Sequence, residues 1–344
     1  MVVLSSEERM SKEPGKKSDS NWPHDRFGID EAFSWLWWVP IVLIILLGTL
    51  LLPTLNIFRK GPRLVVYCAQ DQVYAEQIFK KFKDKTGIRV LAVYDSEAVK
   101  TVGLANRLLA EKAQPRADLF WGNEELRARQ LAQRGIFRET NGLAVFGYRS
   151  RRLVVNTNSF DFSTAPKSWL ELTNAVWRGK IALGYPQFGT TSTHFHALRQ
   201  HWSEPAWKAW CQALAANQPR LVDGNSVVVK MVASGEAVIG MTDSDDIAAA
   251  QREGAPVAAL PINEECLLIP NAAGLVAGGP NPNPAEVLFD YLQKPEVARE
   301  LVAMNALEGA SPAEVQVQTL KPDWDAMLRD LDSAVSVLNE IFLR

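Results

Sequence analysis

The sequence predicts an α/β fold in two lobes, preceded by one N-terminal transmembrane helix. Three observations carry this. Residues 32–58 hold no charged side chain, and about 20 apolar residues suffice to cross a bilayer. From residue 63 onward, short apolar runs alternate with amphipathic stretches, the pattern of a mostly parallel sheet with crossover helices. The chain has 344 residues, 47% hydrophobic and 22% charged, a globular balance long enough for two cores.

The N-terminal block reads as an uncleaved signal anchor over residues 35–57, behind a polar, disordered tail at residues 1–34. Trp35, Trp37 and Trp38 suit an interfacial aromatic belt. The block is too long for a signal peptide, starts too late, and no small-residue cleavage site follows it. Charge does not orient it, because Lys16, Lys17 and Arg26 before it balance Arg59, Lys60 and Arg63 after it.

Beyond "RKGP", residues 63–69 read as a buried strand and 71–87 as an amphipathic helix ended by Gly87. A strand at 88–94, a helix at 99–113 and a strand at 117–122 continue the alternation. A crossing strand follows at 151–157, then a strand at 180–185, helices at 205–217 and 226–235, and strands at 237–242 and 273–279. Helices at 285–293, 295–304 and 324–343 complete the chain.

In open α/β sheets, ligands bind beyond the carboxyl ends of strands. The residues directly after each strand here are nearly all polar: 70–72, 94–96, 123–124, 186–193, 223–226 and 242–246. They point to one polar cleft.

Within it, "FGTTSTHFHAL" offers free N–H groups and hydroxyls at a helix start, suited either to a plain cap or to an anionic ligand. His194 and His196 lie two apart, about 200° around a helix, so they cannot share a metal; packing or surface roles suit them. Asp223, Asn225 and Ser226 open another helix. Asp243, Asp245 and Asp246 crowd a third strand end. They read either as a solvated turn and cap, or as oxygen ligands for a hard cation or a cationic group.

Several classes are excluded. The net charge of −2 gives no basic face for nucleic acid. There is no G-x-S-x-G elbow, Walker loop, GxGxxG or HExxH motif, so no enzyme is expected. Cys68, Cys211 and Cys266 are an odd, scattered set flanked by apolar residues, read as buried free thiols.

The run from "LVVYCAQDQVYAEQIF" through "ADLFWGNEE", with "GKIALGYPQFGTTSTH", "VDGNSVV" and "GMTDSDD", resembles the ferric-iron type of solute-binding proteins of ABC importers. The resemblance spans residues 64–303. It implies a two-lobed, type 2 periplasmic-binding-protein-like fold with crossing hinge strands near 140–155 and 255–280. Lobe 1 would comprise residues 64–150 with 256–305, and lobe 2 residues 151–255 with 306–344. It also implies ABC permease subunits as partners, and a single-pass inner-membrane protein whose soluble part faces the periplasm or exterior.

The ligand set so implied is Asp71, Gln72, Tyr94, Glu124, Thr190, Thr191, Asp223, Asn225, Asp243 and Asp245. Asp71, Glu124, Asp243 and Asp245 would hold a cation, and no resident cofactor is expected. Ferric iron, free or chelated, is the favoured cargo. This chain departs from the ferric pattern at the strand end near Thr242, where Ser244, Asp245 and Asp246 stand in place of paired tyrosines. Relatives also take phosphorylated sugars, phosphonates and thiamine, which keeps such solutes, or a tethered sensor of the same fold, as alternatives.

Overall fold

The protein is described from a computed structural model covering residues 39–46, 61–95, 100–262, 265–315, 317 and 319–343. Of the expected anchor at 35–57, only the exposed helical stretch at 39–46 is described; the rest, and the tail at 1–34, lie outside the described residues. Among the described residues, no helix is long and apolar enough to cross a membrane. Residues 61–344 form one compact unit.

Lobe 1 begins with β1 (Arg63–Cys68), α1 (Gln72–Thr86) and β2 (Arg89–Val93), followed by α2 (Lys100–Ala110), β3 (Leu119–Gly122) and α3 (Glu125–Gln133). Strand periodicity explains the layering. On β1, Leu64, Val66 and Cys68 face a core with Ile78, Phe82, Leu288 and Leu292. Its other face sets Tyr67 against Leu104, Leu108 and Leu131. A strand apolar on both faces is what a helix-covered parallel sheet requires. Both β2 and β3 pair with β1 in parallel.

Lobe 2 repeats the arrangement. It contains β5 (Ile181–Gly184), α4 (Gly189–Trp202), α5 (Glu204–Ala216), β6 (Arg220–Val222), α6 (Asn225–Ala233), β7 (Ile239–Asp243) and α7 (Ser244–Arg252). Leu153, Leu183 and Met241 pack on Phe195, Trp207 and Trp210, while Val154 and Ala182 pack on Val228, Val232 and Ile247.

Two long strands join the lobes. β4 (Leu143–Asn156) pairs through its first half with β9 (Leu268–Leu275), and through its second half with β7 and β8 (Val257–Leu260). The strand order is β2-β1-β3-β9-β4-β7-β5-β6, with β8 on β4. The crossings lie where the resemblance places them, but they run antiparallel to their neighbours, so the sheet is mixed rather than mostly parallel.

β9 starts at Leu268, five residues before the expected strand at 273, despite Pro270. The proline faces Tyr148 where the β4 register slips between Phe146 and Tyr148. A bulge tolerates a residue with no N–H to give to the ladder.

The final helices are α8 (Pro282–Leu292), α9 (Pro295–Ala303) and α10 (Trp324–Phe342). α8 and α9 close lobe 1. α10 packs Ala334, Leu338 and Phe342 on lobe 2 and sets Met327 and Leu331 against Leu126 of α3. It therefore touches both lobes.

Gly147 occupies the bulge at φ +62°, and a Cβ there would lie 2.2 Å from Leu307 Cδ1. Leu307 is buried, so it has little room to yield. Gly147→Val is expected to destabilise by about 2 kcal/mol or more through backbone strain and overpacking. A urea midpoint within error of the parent's would refute this reading of the hinge.

Candidate functional site

Four helices begin on the rim of one cleft: α1 after Asp71, α4 after Phe188, α6 after Gly224 and α7 after Asp243. Each follows a strand whose carboxyl end opens there, the placement expected for a ligand site in such sheets. The cleft encloses about 600 Å³ of space open to solvent.

Of the expected ligand residues, Asp71, Thr190, Thr191, Asp223, Asn225, Asp243 and Asp245 line the cleft. Asp246, Arg149, Thr101, Asn123, Tyr185 and Phe188 join them. Gln72, Tyr94 and Glu124 do not. Gln72 turns outward and donates to Glu76 at 2.5 Å. Tyr94 follows β2 and packs against the lobe 1 core; burial raises its phenol well above the usual range.

Glu124 is fully buried and turns back to cap α3, accepting the Arg127 N–H at 3.1 Å. It also accepts the Thr193 hydroxyl of lobe 2 at 3.1 Å. Burial pushes its carboxyl up against the pull of Arg127. It serves as a cap and a lobe-to-lobe tie, not as a cleft ligand. A second tie runs from Arg252 to the Tyr74 hydroxyl at 3.3 Å.

The centre of the cleft floor is an ion-pair cluster on β4 and β7. Arg149 and Arg151 sit two apart on β4 and so face the same side of the strand; both are buried. Arg151 donates to Asp243 Oδ1 at 2.7 Å. Arg149 donates to Asp245 Oδ2 at 3.0 Å, lies 3.5 Å from Asp243 Oδ2, and donates to the Asn123 carbonyl at 2.6 Å. Asp243 Oδ2 also accepts the Thr190 hydroxyl at 2.7 Å and the Asn225 amide at 3.0 Å.

This corrects two expected roles. The single hydroxyl proton of Thr190 goes to Asp243. The two amide protons of Asn225 go to Asp243 and Thr190, and its carbonyl accepts from Arg151 at 3.0 Å. These side chains hold the floor together, and what they leave facing the cleft is backbone N–H. Asp243 in turn is saturated: burial pushes it up, but Arg151 and Arg149 outweigh that and hold it below the usual carboxylate range.

Asp245 and Asp246 behave differently. Burial drives Asp245 up, Arg149 pulls it back, and Asp243 and Asp71 push it further, to about 7. Asp246 is raised well above its ordinary value by burial and by its Asp245, Asp243 and Asp71 neighbours. One carboxylate oxygen each from Asp243, Asp245 and Asp246 lie within 4.8 Å of one another.

Two of the three lobe 2 helices that start on the cleft share a further property. None of the four cleft helices has a side-chain cap hydrogen bond, but α1 and α7 carry Asp71 and Asp243 at the N-cap, whereas α4 and α6 carry Phe188 and Gly224, which have no side-chain acceptor. The first N–H groups of a helix have no acceptor within the helix, so both helix ends present donors and a partial positive charge to the cleft.

The histidines take packing roles. His194 Nε2 meets the Glu265 carbonyl at 3.0 Å, with its ring edge-on to Trp169. His196 Nδ1 meets the Ser192 carbonyl at 2.6 Å. Burial lowers them to about 3 and about 4, so both are neutral near pH 7. Cys68, Cys211 and Cys266 are buried free thiols.

The arginine pair is the part of the site that strand-end reasoning misses, because the residues lie inside a strand. Its signal is present in "YRSRRLVVN": Arg149 and Arg151 fall on one face of a run that ends in apolar Leu153, Val154 and Val155, in a chain that elsewhere offers "DSDD".

Two α/β lobes joined by hinge strands, with one polar cleft built from both, define a receptor for a small solute. Residues 64–304 match the bacterial extracellular solute-binding proteins, and the chain belongs to that family. The family is one of extracellular binding proteins. An uncharacterised protein of Haemophilus influenzae is 25% identical over 223 residues, 57% of this chain and 62% of that protein's length.

Solved structures share the fold. Iron-bound HitA from Pseudomonas aeruginosa superposes with a TM-score of 0.71 at 20% identity, over 81% of this chain and 99% of its own. A ferric binding protein from Campylobacter jejuni gives 0.71 at 17% identity, over 81% and 99%. AfuA from Actinobacillus pleuropneumoniae, with fructose-6-phosphate bound, gives 0.71 at 17% identity, over 83% and 99%.

Proposed function

We propose that the protein captures a small organic solute bearing an oxyanion, such as a phosphate ester or phosphonate, and delivers it to an ABC permease by hinge closure. The supporting observation is the pair of helix starts, at Gly189 and Asn225, that line one cleft with no acceptor side chain at the N-cap. An anionic oxygen between them meets the positive ends of both helix dipoles. The apolar block at residues 32–58 then tethers the binding domain to the outer face of the inner membrane.

Ferric iron is the second reading, favoured by the three clustered carboxylates. Against it, Asp243 is already engaged by two guanidiniums and Asp245 by one. The described cleft lining holds one phenol, Tyr185. Bound iron displaces those ion pairs, whereas an oxyanion at the helix starts leaves them in place.

Thermal unfolding of the full-length protein separates the readings. A ligand present at 100 times its Kd stabilises by about 2.7 kcal/mol. Glucose 6-phosphate or a simple alkyl phosphate is expected to raise the midpoint, and ferric citrate to leave it unchanged. A rise with ferric citrate and none with any phosphate ester reverses the choice.

A further inference from the structure

The cleft carries more negative charge than an oxyanion site needs. Its lining includes Asp71, Asp223, Asp243, Asp245 and Asp246, with Arg149 as the basic side chain among the described lining residues. Arg151 lies behind the floor, paired with Asp243. Two guanidiniums therefore stand against five carboxylates.

One of those carboxylates is held half-satisfied. Asp245 is 5% exposed. Its Oδ2 accepts from Arg149, which fixes the side chain, while its Oδ1 has no hydrogen-bond partner. Asp246 is the next residue of the same first helical turn and lines the same cleft. A buried carboxylate oxygen without a donor is costly unless something supplies one.

We propose that the solute is a zwitterion, carrying an ammonium group that docks on Asp245 and Asp246 while its oxyanion caps α4 and α6. The inference rests on the oxyanion reading above and adds the opposite end of the ligand. The class named is an aminoalkyl phosphate or phosphonate, or a molecule with the same charge pair. A primary ammonium has three donors and no acceptor, which suits the buried, unpartnered Oδ1 of Asp245 together with Asp246. A bare divalent cation meets the same carboxylates but makes no use of the two helix starts.

Asp71 and Tyr74 face Asp245 from the start of lobe 1, Arg149 from β4 and Asp243 from β7; Asp246 and Arg252 belong to its own helix.

The test is calorimetric titration of the full-length protein with matched pairs: 2-aminoethyl phosphate against ethyl phosphate, and 3-aminopropyl phosphate against propyl phosphate. Using the ratio within a pair cancels the titration of the phosphate itself. At pH 8 at least one amino ligand should bind about 10-fold or more tightly than its partner, the scale of one charge-assisted hydrogen bond. Asp246→Asn should erase most of that ratio.

Equal affinities within both pairs at pH 8 overturn the zwitterion and leave the oxyanion site standing. Binding of 1,4-diaminobutane or Mn²⁺ with none of the phosphates overturns the oxyanion reading, and this inference with it. A full ratio retained by a folded Asp246→Asn variant also overturns the ammonium seat.

Discussion

Arg151→Met is expected to lower the unfolding free energy by about 3–5 kcal/mol, the usual effect of stripping one partner from a buried ion pair. Arg151 is fully buried and reaches Asp243 at 2.7 Å, Asn225 at 3.0 Å and Thr190 at 3.3 Å. Its loss leaves Asp243 with Arg149 at 3.5 Å as its nearest remaining cation. Lobe 2 is then expected to unfold at markedly lower urea. Arg151→Met combined with Asp243→Leu should recover part of the loss, because the stranded charge goes with its partner. A single variant that loses less than about 1 kcal/mol would show that the cluster is solvated rather than structural.

Gly224→Asp should move stability and binding in opposite directions. Gly224 holds the N-cap position of α6 in an extended backbone, with no side chain to cap the helix. An aspartate there can accept from the first N–H groups of the helix, which stabilises by a few tenths of a kcal/mol. The same carboxylate occupies the oxyanion seat and repels its occupant. Alkyl phosphate affinity should fall about 100-fold, or roughly 2.7 kcal/mol. A variant more stable than the parent but unable to bind would identify the bare helix start as a site kept open for ligand. Unchanged phosphate affinity would place the ligand elsewhere.

Much of lobe 1 was legible because its strands are short, apolar on both faces and followed by helices with clear ends such as Gly87. The rule that strand ends face the ligand also located Asp71, Thr190, Asp223 and Asp243 on one cleft. It misplaced residues whose local chemistry competes with that rule. Glu124 follows β3 but turns inward to cap α3, and Gln72 already belongs to a helix and bonds along it. Tyr94 follows the edge strand β2 and packs against the lobe 1 core instead of the cleft. Arg149 and Arg151 escaped because a charge within a strand reads as solvent-facing until its partners are known. Those partners, Asp243 and Asp245, lie more than 90 residues away in sequence. Pro270 hid the first part of β9 for a different reason: the bulge that tolerates it lies on another strand.

The question on which function turns is whether oxyanions sit on the α4 and α6 starts of lobe 2. Titrating inorganic phosphate into protein labelled with ¹⁵N-glycine reads this directly, because Gly189 and Gly224 flank those starts. Saturable shifts concentrated on these two glycine amides, with Gly87 and Gly254 unmoved, are the predicted result. Phosphate binding that leaves both unchanged, or ferric iron perturbing them where phosphate does not, would contradict it.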